Sequence, residues 1–280
     1  MKITIVGLGL IGGSIAKDLN SQINVEVLGV DVNETHCKEA IELNLITKII
    51  TLDEALIISD VIIFAVPVDV LERMLPDVLD KISTNQVLID VGSTKLLIAE
   101  AVLNHSKRGR FVAAHPLAGT EFSGPQAAMR GLFIGKKNIV CDQELSDPDA
   151  LTKAIKIFES IGLVQMFMNA AEHDKHMAYV SHLSHVTSFM LGLTVLDIER
   201  DEKQIFNLAG TGFESTVRLA KSNPNTWSPI FIKNKKNISA ALEQYISWLQ
   251  KFKSALDQED IETIKSYMVA ANDIKRVLNN

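Results

Sequence analysis

The sequence contains 280 residues, of which 28 are lysine or arginine and 34 are aspartate or glutamate, so its formal net charge is −6. This acidic balance, without a clustered basic face, argues against a nucleic-acid partner, because neutralising phosphates requires many cations on one side of a protein. Hydrophobic residues make up 47% of the chain, enough for substantial cores, and the length exceeds that of a usual single core, which predicts two domains.

The cysteines and the first residues bear on the location of the protein. Cys37 and Cys141 lie far apart without a CxxC spacing, as expected for reduced thiols in the cytosol rather than for a disulfide framework. A strand pattern begins at Lys2 and leaves no room for a signal peptide. No apolar run approaches the ~20 residues that a membrane helix requires. We therefore expect a cytoplasmic protein that does not act in a membrane.

The N-terminal half alternates strand-like runs with helix-length segments. Between Lys2 and about Met168 the runs are nearly continuous in Val, Ile and Leu, as in strands that are covered on both faces. They read KITIVG, NVEVLGV, DVIIFAVP, QVLIDVGS, RFVAAHP, KNIVCD and LVQMFM. Asp69–Ile82 and Thr94–Lys107 have the length of intervening helices. This pattern predicts an α/β fold, a Rossmann-type doubly wound and mostly parallel sheet over residues 1–168.

A glycine-rich turn follows the first of these runs and opens a helix. In KITIVGLGLIGGSIAKDL, Gly7 permits a tight turn, Gly9 lets a pyrophosphate approach the backbone, and Gly12 allows close contact between helix and strand. The N-terminus of the helix then faces the negative charge of the ligand. The predicted cofactor-binding loop consists of Gly7, Gly9, Leu10, Ile11 and Gly12.

Later strand ends extend this predicted nucleotide site. Asp31 ends the second strand, where a carboxylate can accept the ribose hydroxyls and would repel a ribose phosphate, which favours NAD over NADP. Ligands of open parallel sheets lie beyond the carboxyl ends of the strands, so Val66, Pro67, Gly92 and Ser93 are expected to line the cofactor crevice. His115 follows the strand RFVAA and is expected on the same rim. Ordinary strand-to-helix turns remain the alternative at this point.

The second half of the chain carries helical patterns only. Strand signals stop after Asn169, and the turns SNPN and LDQED separate the helical segments. The predicted helices are Ala170–Glu199, Glu202–Ala220, Trp227–Leu256 and Asp260–Leu278. Residues 169–280 are thus expected to form an all-helical domain, and its apolar surface favours a homodimer.

Four histidines in the first predicted helix raise the question of a metal site. They are His173, His176, His182 and His185. At about 100° per residue the first pair lies nearly opposite the second, and no carboxylate or cysteine completes a ligand set, so no metal is expected. His182 stands beside His185 one turn away. Histidines packed in the core or exposed at the surface remain the alternative.

Arg218 and Trp227 are the unusual side chains of the next stretch. Arg218 lies among apolar residues, and a guanidinium can bind a carboxylate through two parallel hydrogen bonds. Trp227 follows the SNPN turn closely and can wall a pocket. On these residues alone, a surface cation and a core aromatic residue remain the alternatives.

Taken together, GLGLIGGS, DVGSTK, HPLAGTEFSG, SHLSH and RLAKSNPNTW resemble the prephenate dehydrogenase family in order and spacing, over nearly the whole chain. The resemblance implies an NAD⁺-binding first domain and a helical dimerisation domain that closes over the substrate. It further implies the oxidative decarboxylation of prephenate to 4-hydroxyphenylpyruvate, with CO₂ and NADH as products, in tyrosine biosynthesis.

The resemblance also assigns roles to individual residues. His115 matches the catalytic histidine, and Ser93 matches the serine that orients it and contacts the substrate hydroxyl. Residues implied at the substrate site are Glu121 at its entrance, Arg218 for a carboxylate, Trp227 as a pocket aromatic, and His182 and His185 on the substrate-side helix, with His185 the preferred contact. Many members place an aspartate three residues before the arginine, where this chain has Ser215, so the support of Arg218 is expected to differ.

Three other functions remain open at this stage. Arogenate dehydrogenase performs the same chemistry on a substrate with an amino acid side chain. A β-hydroxyacid or imine-type NAD(P) enzyme shares a Rossmann domain and a helical dimer domain, although HPLAGTE is not expected there. A non-catalytic NAD-binding regulatory module is the alternative outside enzymes.

Overall fold

The computed structural model describes residues 1–202 and 209–278. A single eight-stranded sheet, in the order β3-β2-β1-β4-β5-β6-β7-β8, organises the N-terminal part. The pair β6–β7 is antiparallel and the remaining neighbours are parallel. The strands are β1 (Lys2–Val6), β2 (Glu26–Val30), β3 (Lys48–Ile49), β4 (Val61–Phe64), β5 (Val87–Asp90), β6 (Phe111–Pro116), β7 (Lys137–Cys141) and β8 (Val164–Met168). The predicted doubly wound, mostly parallel sheet is confirmed.

The continuous apolar runs reflect a sheet that is covered on both faces. Val61 and Ile63 of β4 lie in one buried cluster, whereas Ile62 and Phe64 lie in a second cluster on the other face. Alternate residues of a strand point to opposite faces, so both faces require apolar side chains. The short β3 is an addition to the predicted strands, because two residues are too few to form a pattern.

Helices follow the strands of the sheet as predicted. They are α1 (Leu10–Leu19), α2 (Glu34–Glu42), α3 (Leu52–Ile58), α4 (Val68–Lys81), α5 (Leu96–Ala101) and α6 (Pro148–Ser160). Helix α4 lies within one residue of its predicted bounds. The prediction of a helix over Thr94–Lys107 is wrong, because α5 ends at Ala101 and a 3₁₀ turn forms at Arg108–Arg110. The segment between them, VLNHSK, contains Asn and Ser, whose side chains compete with helical backbone hydrogen bonds.

The C-terminal part is helical, as predicted, with shorter and differently bounded segments. They are α7 (Ala170–Met177), a π-helical turn (Ala178–His182), α8 (Leu183–Glu202), α9 (Thr211–Val217), a 3₁₀ turn (Arg218–Lys221), α10 (Pro224–Lys233), α11 (Lys235–Asp257), α12 (Ile261–Ala271) and α13 (Lys275–Leu278). The predicted helix Glu202–Ala220 falls partly on residues 203–208, outside the described residues.

The predicted helix Trp227–Leu256 is wrong at both its start and its continuity. Helix α10 begins at Pro224, because the side chain of Asn223 accepts the backbone N–H of Asn225 and proline is favourable in a first turn. The helical conformation is interrupted at Asn234, before α11 begins. The SNPN turn is therefore the cap of a helix rather than a spacer.

The chain divides into two compact units, Met1–Lys235 and the residues from Lys236 onward. The sheet, α1 to α10 and the predicted site residues all belong to the first unit. In the second unit, Trp248 and Tyr267 meet edge to face with ring centroids 5.6 Å apart. The predicted domain boundary after Met168 stays a prediction. In the described ranges, no helix combines the length and apolar character needed to cross a bilayer.

Candidate functional site

The glycine loop between β1 and α1 has the shape of a phosphate-binding turn. Gly7 has φ +94°, and a Cβ there would lie 2.6 Å from the carbonyl oxygen of Ala65. A Cβ on Gly12 would collide with the carbonyl oxygen of Gly7, whereas one on Gly9 would meet nothing within 4 Å. Packing therefore explains the first and third glycines. The open space at the second is where a ligand can approach the backbone.

The N-terminus of α1 is free to receive an anion. Gly9 caps the helix without a side-chain hydrogen bond, and no acidic residue lies in its first turn. The first N–H groups of a helix lack intrahelical acceptors and carry partial positive charge. Leu10 and Ile11, which open this helix, therefore present their amides where the phosphates of a dinucleotide would fit.

Asp31 joins the end of β2 to the same loop. Its two carboxylate oxygens accept the backbone N–H groups of Leu8 and Asn33, each at 2.8 Å. His36 Nδ1 lies 3.5 Å from the first of these oxygens, Oδ2. The carboxylate is thus fixed beside the glycine loop, and its remaining lone pairs can still accept hydroxyl groups.

The turns after β4 and β5 lie against each other beside the loop. Val66 is partly buried, and Pro67 caps α4. A Cβ on Gly92 would lie 2.9 Å from a methyl group of Val68, so the two turns are in contact. Ser93 is half-buried, and its hydroxyl makes no hydrogen bond to another described residue. The structure therefore does not join Ser93 to His115 directly.

His115, at the end of β6, belongs to a chain of buried hydrogen bonds. Its Nδ1 lies 2.8 Å from Nε2 of His173, and Nδ1 of His173 lies 2.8 Å from Oδ1 of Asp174. Asp174 accepts the backbone N–H groups of Lys95 at 2.8 Å and Leu96 at 3.0 Å. His173 is 0% exposed and Asp174 is 1% exposed. A chain of bonds thus runs from the start of α5 to the imidazole of His115.

A buried ion pair lies below His115. Lys95 and Asp90 are both fully buried and form a salt bridge, and Lys95 Nζ also donates to the carbonyl oxygen of Ala114 at 2.8 Å. Burial raises the pKa of Asp90, and the Lys95 ammonium opposes this shift. The pair fixes the end of β5 against the end of β6, directly before His115.

His182 and His185 meet Trp227 on the helical side of the site. The rings of His185 and Trp227 stack with centroids 3.3 Å apart, and His182 meets Trp227 edge to face at 6.1 Å. The side-chain amide of Asn234 lies 3.1 Å from Nδ1 of His182 and donates to the carbonyl oxygen of Asp174 at 2.6 Å. Through Asn234, His182 is connected to the hydrogen-bonded chain that ends at His115.

The prediction that His173 faces away from His182 and His185 is wrong. All three side chains are buried, and His176 alone of the four is exposed. A continuous α-helix was assumed, whereas the turn Ala178–His182 is π-helical. Its i→i+5 hydrogen bonds rotate each residue by less than 100°, which brings the later histidines toward the side of His173. Among the described residues, no three His, Cys, Asp or Glu side chains are arranged to hold a metal ion.

Glu121 and Arg218 form an ion pair at the outer edge of the site. Arg218 Nη1 lies 2.9 Å from Glu121 Oε2, and the side chains are 50% and 17% exposed. The pKa of Glu121 is lowered by a hydrogen bond from its own backbone and further by Arg218. Ser215 donates its hydroxyl to the carbonyl oxygen of Gly212 instead. In this chain Glu121 therefore supports Arg218, and Ser215, at the position where the resemblance implied an aspartate, does not.

Burial keeps the histidines of the site uncharged near neutral pH. Burial lowers the pKa of His115 well below its usual range, and three basic neighbours lower it further: His173, Lys95 and His182. Burial also lowers the pKa of His182 to about 4. It lowers the pKa of His173 against the opposing effect of Asp174, and it lowers that of His185.

Three residues of this arrangement were missed by the sequence analysis. Lys95, Asp174 and Asn234 gave no pattern, because the hydrogen bonds of Lys95 to Ala114 and Asp174, and of Asn234 to Asp174, span 19 to 79 residues of the chain. A histidine followed directly by an aspartate, as at His173, was the available signal for Asp174.

Two models of known domain families match the chain. Residues 15–166 match the one described as prephenate dehydrogenase, nucleotide-binding domain. Residues 169–270 match the one described as prephenate dehydrogenase, dimerization domain. The first match ends within β8, the second begins directly before α7, and together they span most of the sequence.

Several named proteins are similar over almost the whole chain. Prephenate dehydrogenase of Bacillus subtilis (strain 168) is 28% identical over 279 residues, which are 98% of this chain and 75% of that protein. The crystal structure of A. aeolicus prephenate dehydrogenase with hydroxyphenyl propionate and NAD⁺ has a TM-score of 0.87 at 30% identity, covering 100% of this chain and 98% of the other. Synechocystis arogenate dehydrogenase has a TM-score of 0.78 at 27% identity, covering 99% and 100%.

Proposed function

Because the chain belongs to the prephenate dehydrogenase family and is a dehydrogenase, we propose that it converts prephenate to 4-hydroxyphenylpyruvate, CO₂ and NADH, a step of tyrosine biosynthesis. The observation that carries this proposal is His115. It is uncharged, it is held by His173 through Nδ1, and it lies at the end of β6 on the rim of the sheet. Its Nε2 is therefore left to accept a proton from the substrate.

The proposed mechanism requires the protein mainly to orient the two reactants and to remove one proton. NAD⁺, when bound, supplies the hydride acceptor. His115 accepts the proton of the ring hydroxyl as the carbonyl forms, and Ser93 is proposed to orient the hydroxyl toward it. Loss of the ring carboxylate as CO₂ makes the product aromatic, which drives the reaction forward. Holding the two reactants in place supplies much of the remaining rate enhancement.

The cofactor site is proposed to be the glycine loop with its adjoining turns. The pyrophosphate would lie at Gly9 and the first amides of α1, and the adenosine ribose hydroxyls would bind Asp31. Val66, Pro67 and Ser93 would line the crevice toward the nicotinamide. The open space at Gly9 and the helix end without acidic residues support this placement, and the carboxylate of Asp31 supports NAD over NADP.

The substrate is proposed to bind between His115 and Trp227. Arg218 would hold a carboxylate, since Glu121 occupies one of its donors and a guanidinium has five. His185 and His182 line the same side through their contacts with Trp227. Glu121 would stand at the entrance, where its charge is balanced by Arg218.

The experiment that tests this function is a spectrophotometric assay of NADH formation with prephenate, run on wild type and on His115→Asn. We expect prephenate-dependent NADH formation by wild type. The variant is expected to lose ~10²- to 10⁴-fold in kcat, the usual contribution of a general base, while NAD⁺ affinity stays unchanged. Near-normal turnover by the variant would remove His115 from its proposed role.

Arogenate dehydrogenation is the second candidate activity. The similarity to Synechocystis arogenate dehydrogenase supports this candidate, since the similarity extends over 99% of this chain. Comparing kcat/KM for prephenate and arogenate decides between them. A chain that binds NAD⁺ and oxidises neither substrate would instead be a non-catalytic binding module.

We further propose a cytoplasmic homodimer with a domain boundary between residues 168 and 169. The match of residues 169–270 to a dimerisation domain supports both the boundary and the assembly. Met190, Leu193 and Leu196 of α8 expose 47–53% of their surface, as expected of residues that a second subunit covers. Light scattering coupled to size-exclusion chromatography measures the mass, and a monomer at micromolar concentration would contradict this assembly.

A further inference from the structure

The hydrogen bonds that join Asp174, His173 and His115 determine which ring nitrogens carry protons, starting from Asp174. A backbone N–H can only donate, and Lys95 and Leu96 each donate one to a different oxygen of Asp174. Both oxygens of this buried carboxyl therefore act as acceptors. His173 Nδ1 lies 2.8 Å from Asp174 Oδ1, so Nδ1 must carry the proton of that hydrogen bond.

The same reasoning passes from His173 to His115. His173 is fully buried and neutral, so with a proton on Nδ1 its Nε2 has a lone pair. Nε2 lies 2.8 Å from Nδ1 of His115, which must then donate. The proton of a neutral His115 is thus on Nδ1, and Nε2 carries the free lone pair.

We propose that Asp174 and His173 are positioning residues that hold His115 as its Nδ1–H tautomer, with the Nε2 lone pair directed at the substrate hydroxyl. The inference rests on the proposed function only for the identity of the group that Nε2 accepts from. The opposite tautomer would present a proton to the hydroxyl and could not remove one.

The hydrogen bonds from Asp174 to His115 also place a negative charge near the imidazole that takes the proton. His115 becomes an imidazolium when it takes the proton, in a buried place that already contains the Lys95 ammonium. The carboxylate of Asp174 reaches this charge through His173 and stabilises it. Asp174 is further fixed by the Asn234 amide on its own carbonyl oxygen, so its orientation depends on three segments of the chain.

The direct test measures the tautomer without substrate. Long-range ¹H–¹⁵N correlation spectra of the ¹⁵N-histidine-labelled full chain distinguish protonated from unprotonated ring nitrogens, and His115→Asn assigns the signals of His115. We expect a protonated Nδ1 and an unprotonated Nε2 in wild type at neutral pH. A protonated Nε2 would overturn the inference. The expected tautomer in a chain without prephenate turnover would contradict the proposed function alone.

A pair of variants tests whether this arrangement matters for turnover. In His173→Gln the amide can donate to Asp174 and offer its oxygen to His115 Nδ1, so the tautomer is kept. His173→Met has similar bulk and no acceptor. We expect kcat of the Met variant to lie roughly 10- to 100-fold below that of the Gln variant, as for loss of one hydrogen bond to a charged group. Equal kcat values in two variants that bind NAD⁺ normally would contradict the proposal, since packing alone does not separate them. If His173→Met does not fold, the wild-type spectrum decides.

Discussion

The imidazole of His115 owes its protonation state to the residues packed around it. It is surrounded by protein yet keeps part of its surface accessible, and Lys95 and His173 stand close to it. Desolvation and basic neighbours both disfavour the imidazolium, so they lower the pKa in the same direction. The side chain is therefore available as a proton acceptor over the whole neutral range.

The pH dependence of kcat/KM follows from this shift. The neutral form is the active one, so activity is present above the pKa of His115 and is lost as pH falls through it. Because that pKa lies well below the usual value of ~6.5, we expect kcat/KM for prephenate to stay level between pH 8 and pH 6.5 and to fall only at lower pH. Initial rates from pH 8 to pH 4.5 check this, and an acidic limb centred at pH 7 would contradict it.

Arg218 is expected to act on substrate affinity rather than on the chemical step. The half-exposed guanidinium is screened by solvent, so its loss costs less than that of a buried charge. We expect Arg218→Ala to raise KM for prephenate about 10-fold, the lower range for a hydrogen bond to a charged group. Lys221→Ala is the matched control, because this exposed cation lies in the same 3₁₀ turn. Similar KM values for the two variants would count against the role of Arg218.

Sequence reasoning found the site residues that follow a local rule. The glycines were predictable because a tight turn and a close helix approach each require a missing side chain at a fixed spacing. Asp174 and Asn234 were not, since they act on partners 79 and 60 residues away along the chain. Ser93 was expected to orient His115, and in the structure His173 makes that hydrogen bond instead.

At the scale of elements, the π-helical turn Ala178–His182 decides which histidines share the site. The turn holds one more residue per hydrogen-bonded ring than an α-helix does. The residues after it therefore point in other directions than they would if α7 continued as a regular α-helix. His182 thereby reaches Asn234, and His185 reaches Trp227. Turns of this kind are frequent at functional sites because they redirect side chains at little cost in length.

Adding one residue to this turn tests its role. Val180 is 70% exposed, so an extra residue beside it lengthens the backbone without entering the core. We expect an alanine inserted after Val180 to rotate His182 and His185 by about 100° relative to His173, with kcat/KM falling at least ~100-fold and NAD⁺ affinity unchanged. Val180→Ala keeps the length and should behave as wild type. An insertion variant with full activity would show that the turn does not set the geometry.

The elements differ in how far their sequences determine them. Strands of the sheet were predictable because both faces are buried, which forces continuous apolar runs such as Val61–Phe64. The end of α5, the π-helical turn and the break at Asn234 were not, because each departs from the regular 3.6-residue period within an otherwise helical pattern. Their positions depend on tertiary hydrogen bonds, which cannot be inferred from the spacing of apolar residues along a helix.

For the whole molecule, the uncharged histidines link stability to pH. His115, His173, His182 and His185 all have lowered pKa values in the folded chain. The unfolded chain therefore binds more protons than the folded one below the ordinary histidine pKa. Stability is complete above about pH 6.5 and declines as pH falls below it.

Acid should consequently lower the free energy of unfolding. With a folded pKa of about 4, His182 alone is expected to cost about 2 kcal/mol at pH 5 relative to pH 7. Urea unfolding at pH 7, 6 and 5 measures the effect. His182→Gln should flatten the dependence, whereas His176→Gln, at an exposed histidine, should leave it as in wild type. Stability that rises toward pH 5 would contradict this sign.

The amides that bind Asp174 belong to Lys95 and Leu96, which follow Ser93 after one intervening residue, at the proposed cofactor crevice. The crevice and the base therefore share one hydrogen-bonded turn, and thermodynamic linkage applies between them. If bound NAD⁺ changes the proton affinity of His115 by some factor, protonation of His115 must change NAD⁺ affinity by the same factor. The dissociation constant of NAD⁺, followed against pH in the absence of substrate, thus becomes a measure of the proton on His115.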